Sequence, residues 1–218
     1  MKFKVLRTAI TGLIFSVSCF LNIANAGLIT KDYVALNDGL ITIDTTSNQE
    51  WLDVSIFVGM NLQLLSGTNQ WSDAGFRLAS TVEIFNLYKN AGILYINDYN
   101  NIYDLGDSSS ANAASQLASQ RLYNMLGGSP ANFGGRSDIH GLQSDADNDG
   151  NAYLARLQTS GRAAINTNGD SWGVTYTRHE AVGAFFVRDI TDVPEPSTLA
   201  IFALGMIGLA SRRFKKQY

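Results

Sequence analysis

Short apolar runs separated by polar turns predict strands in two parts of the chain. Residues 33–36 and 40–43 flank Asn37-Asp38-Gly39, which is typical of a hairpin turn, and residues 50–54 form a third predicted strand. After residue 128 glycine becomes frequent and the pattern again favours strands. The strands predicted there are residues 152–159, 162–165, 172–177 and 182–188.

The last of these predicted strands is apolar on both faces. Val182, Ala184 and Phe186 share one face, while Phe185 and Val187 share the other. A strand that is buried on both faces lies inside a sheet rather than at its solvent-facing edge. We therefore expect residues 182–188 in the centre of a sheet.

A helical period predicts a first main helix that begins at Ser80. Ser80 and Glu83 fit a capping box, in which the two side chains satisfy backbone N–H groups that the first helical turn leaves free. Gly92 supplies the end of this helix. Its apolar stripe is predicted to contain Val82, Phe85, Ile84 and Tyr88.

A second main helix is predicted from about residue 112 to residue 126, where Gly127 and Gly128 end it. Two helices combined with several hairpin-like strands indicate an α+β fold, with the helices on a mostly antiparallel sheet. The apolar face of the second helix is predicted to contain Leu117, Leu122, Met125 and Leu126.

The first 26 residues have the three parts of a secretory signal peptide. A basic start is followed by an apolar stretch and by Ala24-Asn25-Ala26, an A-x-A site that predicts cleavage before Gly27. A lipoprotein signal at Cys19 fits less well, because Ser16 stands where such signals have leucine. Cys19 is the only cysteine, so we expect an exported domain without disulfides.

Composition and charge suit one acidic globular domain between two basic ends. The chain has 218 residues, of which 45% are hydrophobic and 16% charged. Residues 27–193 contain 9 basic and 18 acidic residues, which gives this region a net charge of −9. Such a charge repels phosphate backbones, so we do not expect a nucleic-acid partner.

The end of the printed sequence predicts an exposed strip followed by a membrane segment. Val193-Pro194-Glu195-Pro196 cannot continue a helix or pair inside a sheet, because proline fixes φ and lacks an N–H. Residues 197–211 are uncharged and would span about 22 Å as a helix, which is shorter than a hydrocarbon core of about 30 Å. Basic residues mark the cytoplasmic side of the membrane, so we expect a single-pass orientation with the domain outside. The basic residues that follow are Arg212, Arg213, Lys215 and Lys216.

This strip, apolar segment and basic ending together resemble the PEP-CTERM sorting signal of Gram-negative bacteria. The resemblance implies recognition by an exosortase, a membrane-embedded enzyme that cuts near Pro194-Glu195-Pro196. It also implies delivery to the cell surface or the medium, and an association with exopolysaccharide and biofilm production. The resulting division of the chain is a signal peptide at 1–26, an acidic domain at 27–192 and a sorting tail at 193–218 with a transmembrane helix at 197–211.

One acidic turn has the beginning of a calcium loop. Asp145, Asp147 and Asp149 alternate along the chain before Gly150, as in the first half of an EF-hand loop. The twelfth loop position is Arg156 instead of the bidentate glutamate, so a complete EF-hand is not expected. The alternatives are a calcium-stabilised loop and a solvated acidic turn between strands.

Two catalytic motifs are present only in part. Residues 169–173 fit G-x-S-x-G around Ser171, but turn residues precede the serine and a predicted strand follows it, whereas a nucleophile elbow joins a strand to a helix. His140 and His179 are the two possible bases. His179-Glu180 begins the zinc motif H-E-x-x-H, but Gly183 replaces its second histidine. We expect no enzyme activity and no cofactor other than calcium.

Trp51, Trp71 and Trp172 either stack on sugar rings or fill the core, and we expect Trp51 in the core. The domain also resembles bacterial C-type-lectin-like modules. The counterparts of their motifs are Asp44 with Trp51, residues 76–84, and Phe185-Phe186-Val187-Arg188. The resemblance implies the same α+β order of elements, although Ser47-Asn48-Gln49 and Ala79 depart from the lectin-like pattern.

Together these patterns predict a non-enzymatic exported protein of the cell surface or extracellular matrix. Its expected partners are the secretion translocon and signal peptidase, the exosortase, the membrane before processing, and an extracellular polysaccharide. One alternative is a calcium-assisted glycan-binding module that uses Asp145, Asp147 and Asp149. A further alternative is a serine hydrolase that uses Ser171.

Overall fold

The computed structural model describes residues 27–67, 69–100, 103–106, 111–128, 132–133, 136–146, 152–167 and 181–190. The predicted signal peptide, the predicted strand at 172–177 and the sorting tail lie outside these residues. The first strands and helices are β1 (Leu28–Lys31), β2 (Ile41–Asp44), β3 (Gln49–Leu52), a 3-10 helix (Val54–Phe57), α1 (Leu62–Ser66), α2 (Asn69–Asp73), β4 (Arg77–Leu78), α3 (Thr81–Asn90) and β5 (Tyr95–Asp98). They are followed by α4 (Ala113–Met125), β6 (Asn132–Phe133), β7 (Arg136–Ala146), β8 (Ala152–Gln158), β9 (Arg162–Thr167), β10 (Gly183–Ala184) and β11 (Phe186–Asp189).

The described strands form two sheets instead of the predicted single sheet. The α+β class is confirmed, and so is the mostly antiparallel pairing of the described strands. The first sheet has the order β1-β2-β3-β11-β4, and the second follows β10-β7-β8-β9-β5 with β6 beside β7. In the second sheet β7, β8 and β9 are antiparallel, whereas β10 is parallel to β7 and β5 is parallel to β9. The direction of pairing depends on long connections between strands, which local periodicity does not encode.

The predicted hairpin at the start of the domain exists, but its first strand lies earlier. β1 pairs antiparallel with β2 from Leu28 opposite Asp44 to Lys31 opposite Ile41. Residues 33–36 are not a strand, because the Asp38 carboxylate accepts the backbone N–H groups of residues 33, 34 and 35 at 2.9, 2.8 and 2.6 Å. These donors are therefore satisfied within the connection rather than by a neighbouring strand.

The capping box that begins α3 is confirmed, but the predicted buried stripe is partly wrong. The Ser80 hydroxyl accepts from the Glu83 N–H, while the Glu83 carboxylate accepts from the Ser80 N–H. Ile84 and Tyr88 are buried together with Leu87, which the predicted stripe left out. Val82 is 42% exposed. The helix is thus rotated so that the 84-87-88 face packs inward.

In α4 the predicted Leu122 and Leu126 are buried, but Leu117 is 61% exposed. Ser115 and Ser119 take the buried positions of the first two turns. The turn before β9 explains this preference for small residues, because a Cβ at Gly161 would lie 2.8 Å from the backbone nitrogen of Gln116. The Ser115 hydroxyl donates to the Gly161 carbonyl at 2.6 Å, so a small polar side chain fits where leucine does not.

The predicted strand at 182–188 is divided between the two sheets. β10 lies beside β7, and β11 lies between β3 and β4, with Phe185 between β10 and β11. The predicted alternation is confirmed: Phe185 and Val187 belong to one hydrophobic cluster, and Val182, Ala184 and Phe186 belong to the other. Residues 182–188 therefore join the two halves of the core.

Candidate functional site

Asp145, the first residue of the predicted calcium loop, lies near the end of β7 and binds the beginning of α3. Its Oδ2 accepts the Thr81 N–H at 2.8 Å, and its Oδ1 lies 3.4 Å from the Ser144 hydroxyl. A carboxylate at a helix N-terminus is stabilised by the unpaired N–H groups there. Asp147 and Asp149 lie outside the described residues, so the calcium loop stays a prediction.

Behind Asp145 lies a buried polar cluster that the sequence analysis did not predict. It consists of Thr81, Asp98, Gln143 and Asn166, all of which are buried. The Thr81 hydroxyl lies 2.7 Å from Asn166 Oδ1 and 3.0 Å from Gln143 Oε1. Gln143 Nε2 donates to Asn166 Oδ1 at 3.1 Å, and Asn166 Nδ2 donates to Asp98 Oδ1 at 2.8 Å.

Asp98, a member of the polar cluster, fixes the backbone that follows β5. The Asp98 carboxylate accepts the N–H groups of Asn100 and Tyr103 at 2.9 and 3.0 Å, and Asp104 accepts the Asp98 N–H at 2.6 Å. In the described part of the chain, no group of three or more His, Cys, Asp or Glu residues could hold a metal ion. The hydrogen bonds from backbone N–H groups to Asp98 suit a structural anchor.

One local signal for this cluster was present in the sequence. Asn166 has a φ of 53°, a left-handed conformation that asparagine tolerates better than most residues. The sequence around Asn166 indicated a turn, but nothing local indicated that its amide would reach Asp98 and Gln143. These contacts join residues up to 85 positions apart, such as Thr81 and Asn166.

His140 lies on β7, where its Nε2 is 3.9 Å from the Asp138 carboxylate, and both residues are buried. Gln158 Nε2 also donates to this carboxylate, at 3.3 Å. Ser171, His179 and Glu180 lie outside the described residues. The structure therefore describes one histidine–carboxylate pair, and the serine and zinc hypotheses stay predictions.

The two described tryptophans fill the core. Trp51 is 0% exposed, as predicted, and Trp71 is 9% exposed. The Trp71 ring packs edge-on against Phe57 with centroids 5.5 Å apart. Neither ring is free to stack on a sugar, and Trp172 lies outside the described residues. Among the described residues, Tyr99 is the large aromatic side chain that is most exposed, at 59%.

An ion network ties β11 to β3 and β1. Arg188 Nε donates to Glu50 Oε2 at 2.7 Å, and Lys31 Nζ donates to Glu50 Oε1 at 2.8 Å. Burial by itself would raise the pKa of Glu50, but the hydrogen bonds from Lys31 and Arg188 hold it below its ordinary value. The Arg188 guanidinium also lies 4.3 Å from the centroid of the Phe76 ring. Arg188 therefore has a packing role.

A small cavity of about 210 Å³ lies between the start of β1 and the helices α3 and α4. Arg121 is the charged residue that lines it. The other lining residues are Gly27, Leu28, Asn90, Ala91, Ala118, Leu122 and Met125. The Gly27 nitrogen, which is the predicted mature N-terminus, donates to the Thr45 hydroxyl at 2.9 Å.

No helix within the described residues has the length and apolar character that a bilayer span requires. The predicted transmembrane helix at 197–211 lies outside them, as do Val193, Pro194, Glu195 and Pro196, the basic residues Arg212, Arg213, Lys215 and Lys216, and the signal residues Ala24 and Ala26.

Comparison with known proteins bears on the tail. A family model described as the PEP-CTERM protein-sorting motif matches residues 192–216. No curated protein and no solved structure matches the chain, so the resemblance to lectin-like modules is unconfirmed. The chain therefore carries a PEP-CTERM protein-sorting motif at residues 192–216, which marks it as an exported protein that an exosortase processes.

Proposed function

We propose that this chain is a non-enzymatic protein of the cell surface or extracellular matrix that contributes to an exopolysaccharide or biofilm layer. The observation that carries this proposal is the sorting motif at residues 192–216. The secretion translocon exports the chain, and signal peptidase cuts between Ala26 and Gly27. Residues 197–211 hold it in the inner membrane with the basic end in the cytoplasm until the exosortase cuts near Pro194-Glu195-Pro196.

The contacts of the domain support a structural rather than a catalytic role. The Asp98 and Asp145 carboxylates hold backbone N–H groups, and Glu50 holds the cations of Lys31 and Arg188. Groups that are committed to such contacts are poorly suited to move protons or attack a substrate. This use of polar side chains supports a structural role for the domain.

Contacts between distant segments support a lectin-like body as part of this proposal. The segments that resemble lectin-like modules include β3, the start of α3, and β11. Gln49 Nε2 on β3 donates to Glu83 Oε1 on α3 at 2.8 Å. Glu50 on β3 accepts from Arg188 on β11 at 2.7 Å. The segments that resemble the lectin-like modules thus contact one another in this chain, although Gln49 itself departs from the lectin-like pattern and a fold alone carries no ligand with it.

Intact-mass analysis of the protein from the culture medium and from the cell surface tests the proposed processing. We expect a chain that begins at Gly27 and ends near residues 194–196, with any added mass identifying an attached group. Replacing Pro194, Glu195 and Pro196 together by alanine should leave the chain in the membrane with Tyr218 intact. Asp73→Ala, which removes an exposed acidic residue of α2, is the control and should be processed normally. A wild-type extracellular form that retains Tyr218 would exclude sorting by cleavage.

A second candidate function, calcium-assisted glycan binding, is favoured by the position of Asp145. One of its oxygens holds α3, and the other has a single contact of 3.4 Å among the described residues. Asp147→Asn removes a predicted ligand and leaves Asp145 and Thr81 themselves unchanged. We expect glycan-array binding that EDTA abolishes and that this variant lacks. Binding or thermal stability that is indifferent to both EDTA and Asp147→Asn would exclude the calcium loop.

A further inference from the structure

Asp53 is a buried carboxyl group that the proposed function does not use. It lies between β3 and the 3-10 helix and is 7% exposed. Its backbone N–H donates to the Leu40 carbonyl at 3.0 Å, but no described residue donates a hydrogen bond to its Oδ1. A buried carboxylate without a donor is costly, so the side chain favours its neutral, protonated form.

The Asp53 side chain packs against the C-terminal end of α4. A Cβ at Gly127 would lie 2.5 Å from Asp53 Oδ2 and 2.6 Å from the Ser55 hydroxyl. Gly127 has a φ of 76°, which glycine adopts without strain. The Asp53 side chain and the Gly127 backbone therefore approach closely here, and the Oδ1 atom of the carboxyl group is buried.

Two hydrogen bonds attach the same end of α4 to the first sheet and to the 3-10 helix. The Val54 N–H donates to the Leu126 carbonyl at 3.0 Å, and the Thr42 hydroxyl donates to the Met125 carbonyl at 2.8 Å. The last carbonyl groups of a helix carry partial negative charge. An ionised Asp53 beside them would be repelled, whereas a protonated Asp53 would not.

The nearby charge also favours the protonated form of Asp53. Burial raises the pKa of Asp53, and the negative charge of Asp38 on the β1–β2 connection adds to this effect. Together they raise the pKa to about 7. Gly127, at the end of α4, is uncharged, and so is the Ser55 side chain of the 3-10 helix, which also lies close to Gly127. Among the described residues, no basic side chain offsets this effect.

We propose that Asp53 is a pH-sensitive latch for the C-terminal end of α4. In its protonated form it allows Leu126 and Gly127 to pack on the junction of β3 and the 3-10 helix. When it ionises, its charge faces the carbonyl end of α4 inside a poorly solvated contact and loosens that junction. The domain is then tighter in a mildly acidic medium than in a mildly alkaline one.

The direction of the pH effect on stability follows from the difference between the pKa of Asp53 in the folded and in the unfolded chain. Because the pKa of Asp53 is higher in the folded chain than the ordinary value of 3.8, the folded state binds more protons between these two pKa values. The contribution of Asp53 to stability is therefore retained below about pH 4 and falls as the pH rises to about 7. Above that pH the loss is complete.

Carbon-detected NMR on the secreted protein tests the latch directly. The carboxyl carbon of Asp53 should titrate with a midpoint near pH 7, and the midpoint near pH 4 that is ordinary for aspartate would overturn the proposal. Amide exchange gives the structural readout. After correction for intrinsic exchange, protection of the Val54 amide should fall about tenfold or more between pH 5.5 and pH 8.5.

Asp53→Asn separates the latch from general pH effects. The variant should keep Val54 protection at pH 8.5, whereas Asp73→Asn, which changes an exposed carboxyl group, should lose protection as the wild type does. An equal loss of Val54 amide protection in the wild type, Asp53→Asn and Asp73→Asn would overturn the proposal. If Asp53→Asn does not fold, the wild-type titration of the Asp53 carboxyl group still decides the question.

Discussion

The carboxyl groups of this domain differ in pKa because some accept several hydrogen bonds and others do not. Asp38 accepts the N–H groups of Ala35, Tyr33, Val34 and Leu40, and these hydrogen bonds, the one from Ala35 most of all, lower its pKa to about 2 although desolvation opposes them. Burial would raise the pKa of Glu83, but hydrogen bonds from Arg77 and Ser80 lower it to about 2. The local supply of donors, rather than the residue type, thus determines whether an acid is stable when ionised.

The ionised Glu83 side chain is expected to stabilise the fold at neutral pH. Arg77 contacts it through two nitrogens at 2.9 and 2.7 Å, and the Ser80 N–H donates to it at 2.9 Å. Glu83→Gln removes the charge from these contacts and should lower the free energy of unfolding by about 1–2 kcal/mol at pH 7. Urea titrations of the variant and the wild type measure the difference.

The effect of Glu83 should depend on pH in a defined direction. Because its pKa is lowered from 4.5 to about 2 in the fold, its contribution is present above pH 4.5 and is lost as the pH falls towards 2. The gap between Glu83→Gln and the wild type should therefore shrink at pH 2.5. A gap of the same size at both pH values would contradict the ionic role of Glu83.

At the scale of single elements, α4 shows how a neighbouring turn selects a helix face. The helix presents Ser115, Ser119 and Leu122 to the interior and leaves Leu117 in solvent. Apolar periodicity alone favoured Leu117, because leucine carries the larger hydrophobic signal. The close approach of Gly161 to the backbone of α4 favours small residues there instead.

Two leucines of α4 give a matched test of this orientation. Leu122 is 0% exposed and lies in a core cluster, so Leu122→Ala should destabilise the domain by about 2–4 kcal/mol. Leu117 is 61% exposed, so Leu117→Ala should change stability by less than about 0.5 kcal/mol. Thermal unfolding of both variants measures the contrast. Similar losses in the two variants would mean that α4 is rotated from the described orientation.

At the scale of the whole molecule, residues 182–188 connect the two sheets and both hydrophobic clusters. The Phe185 N–H donates to Leu142 on β7, while its carbonyl accepts from Ala79 beside β4. β10 also packs on the 3-10 helix, where a Cβ at Gly183 would lie 2.2 Å from the Val54 carbonyl oxygen. Glycine is required at this crossing because the backbone of the 3-10 helix occupies the space of a side chain.

Gly183→Ala is therefore expected to disrupt the domain as a whole. The backbone of Val54 cannot move without breaking its hydrogen bond to Leu126, so we expect a loss of about 3 kcal/mol or more. Gly67→Ala is the control, since a Cβ there would meet its nearest atoms at 3.6 Å. That variant should fold with nearly unchanged stability. Calorimetry of both variants measures the difference in stability. If Gly183→Ala were as stable as Gly67→Ala, the close approach of Gly183 to the Val54 backbone would be contradicted.

Local sequence was sufficient where the signal and its physical cause lie within a few residues. The capping box of α3, the glycine ends of both main helices, the turn at residues 37–39 and the alternating faces of residues 182–188 all depend on such short-range contacts. The sorting motif is a linear signal too, and a family model confirms it at residues 192–216. These features could be predicted because steric preference, hydrogen bonding and apolar spacing act along the chain.

Tertiary structure alone decided the features that depend on residues far apart in sequence. These are the division into two sheets, the parallel pairings of β5 and β10, the buried polar cluster around Asn166, and the environment of Asp53. An aspartate after a strand has no local mark that distinguishes an exposed cap from a buried acid. For Asp53 that difference arises because Gly127, at the end of α4 and more than 60 residues later, lies against its carboxyl group, which is mostly buried.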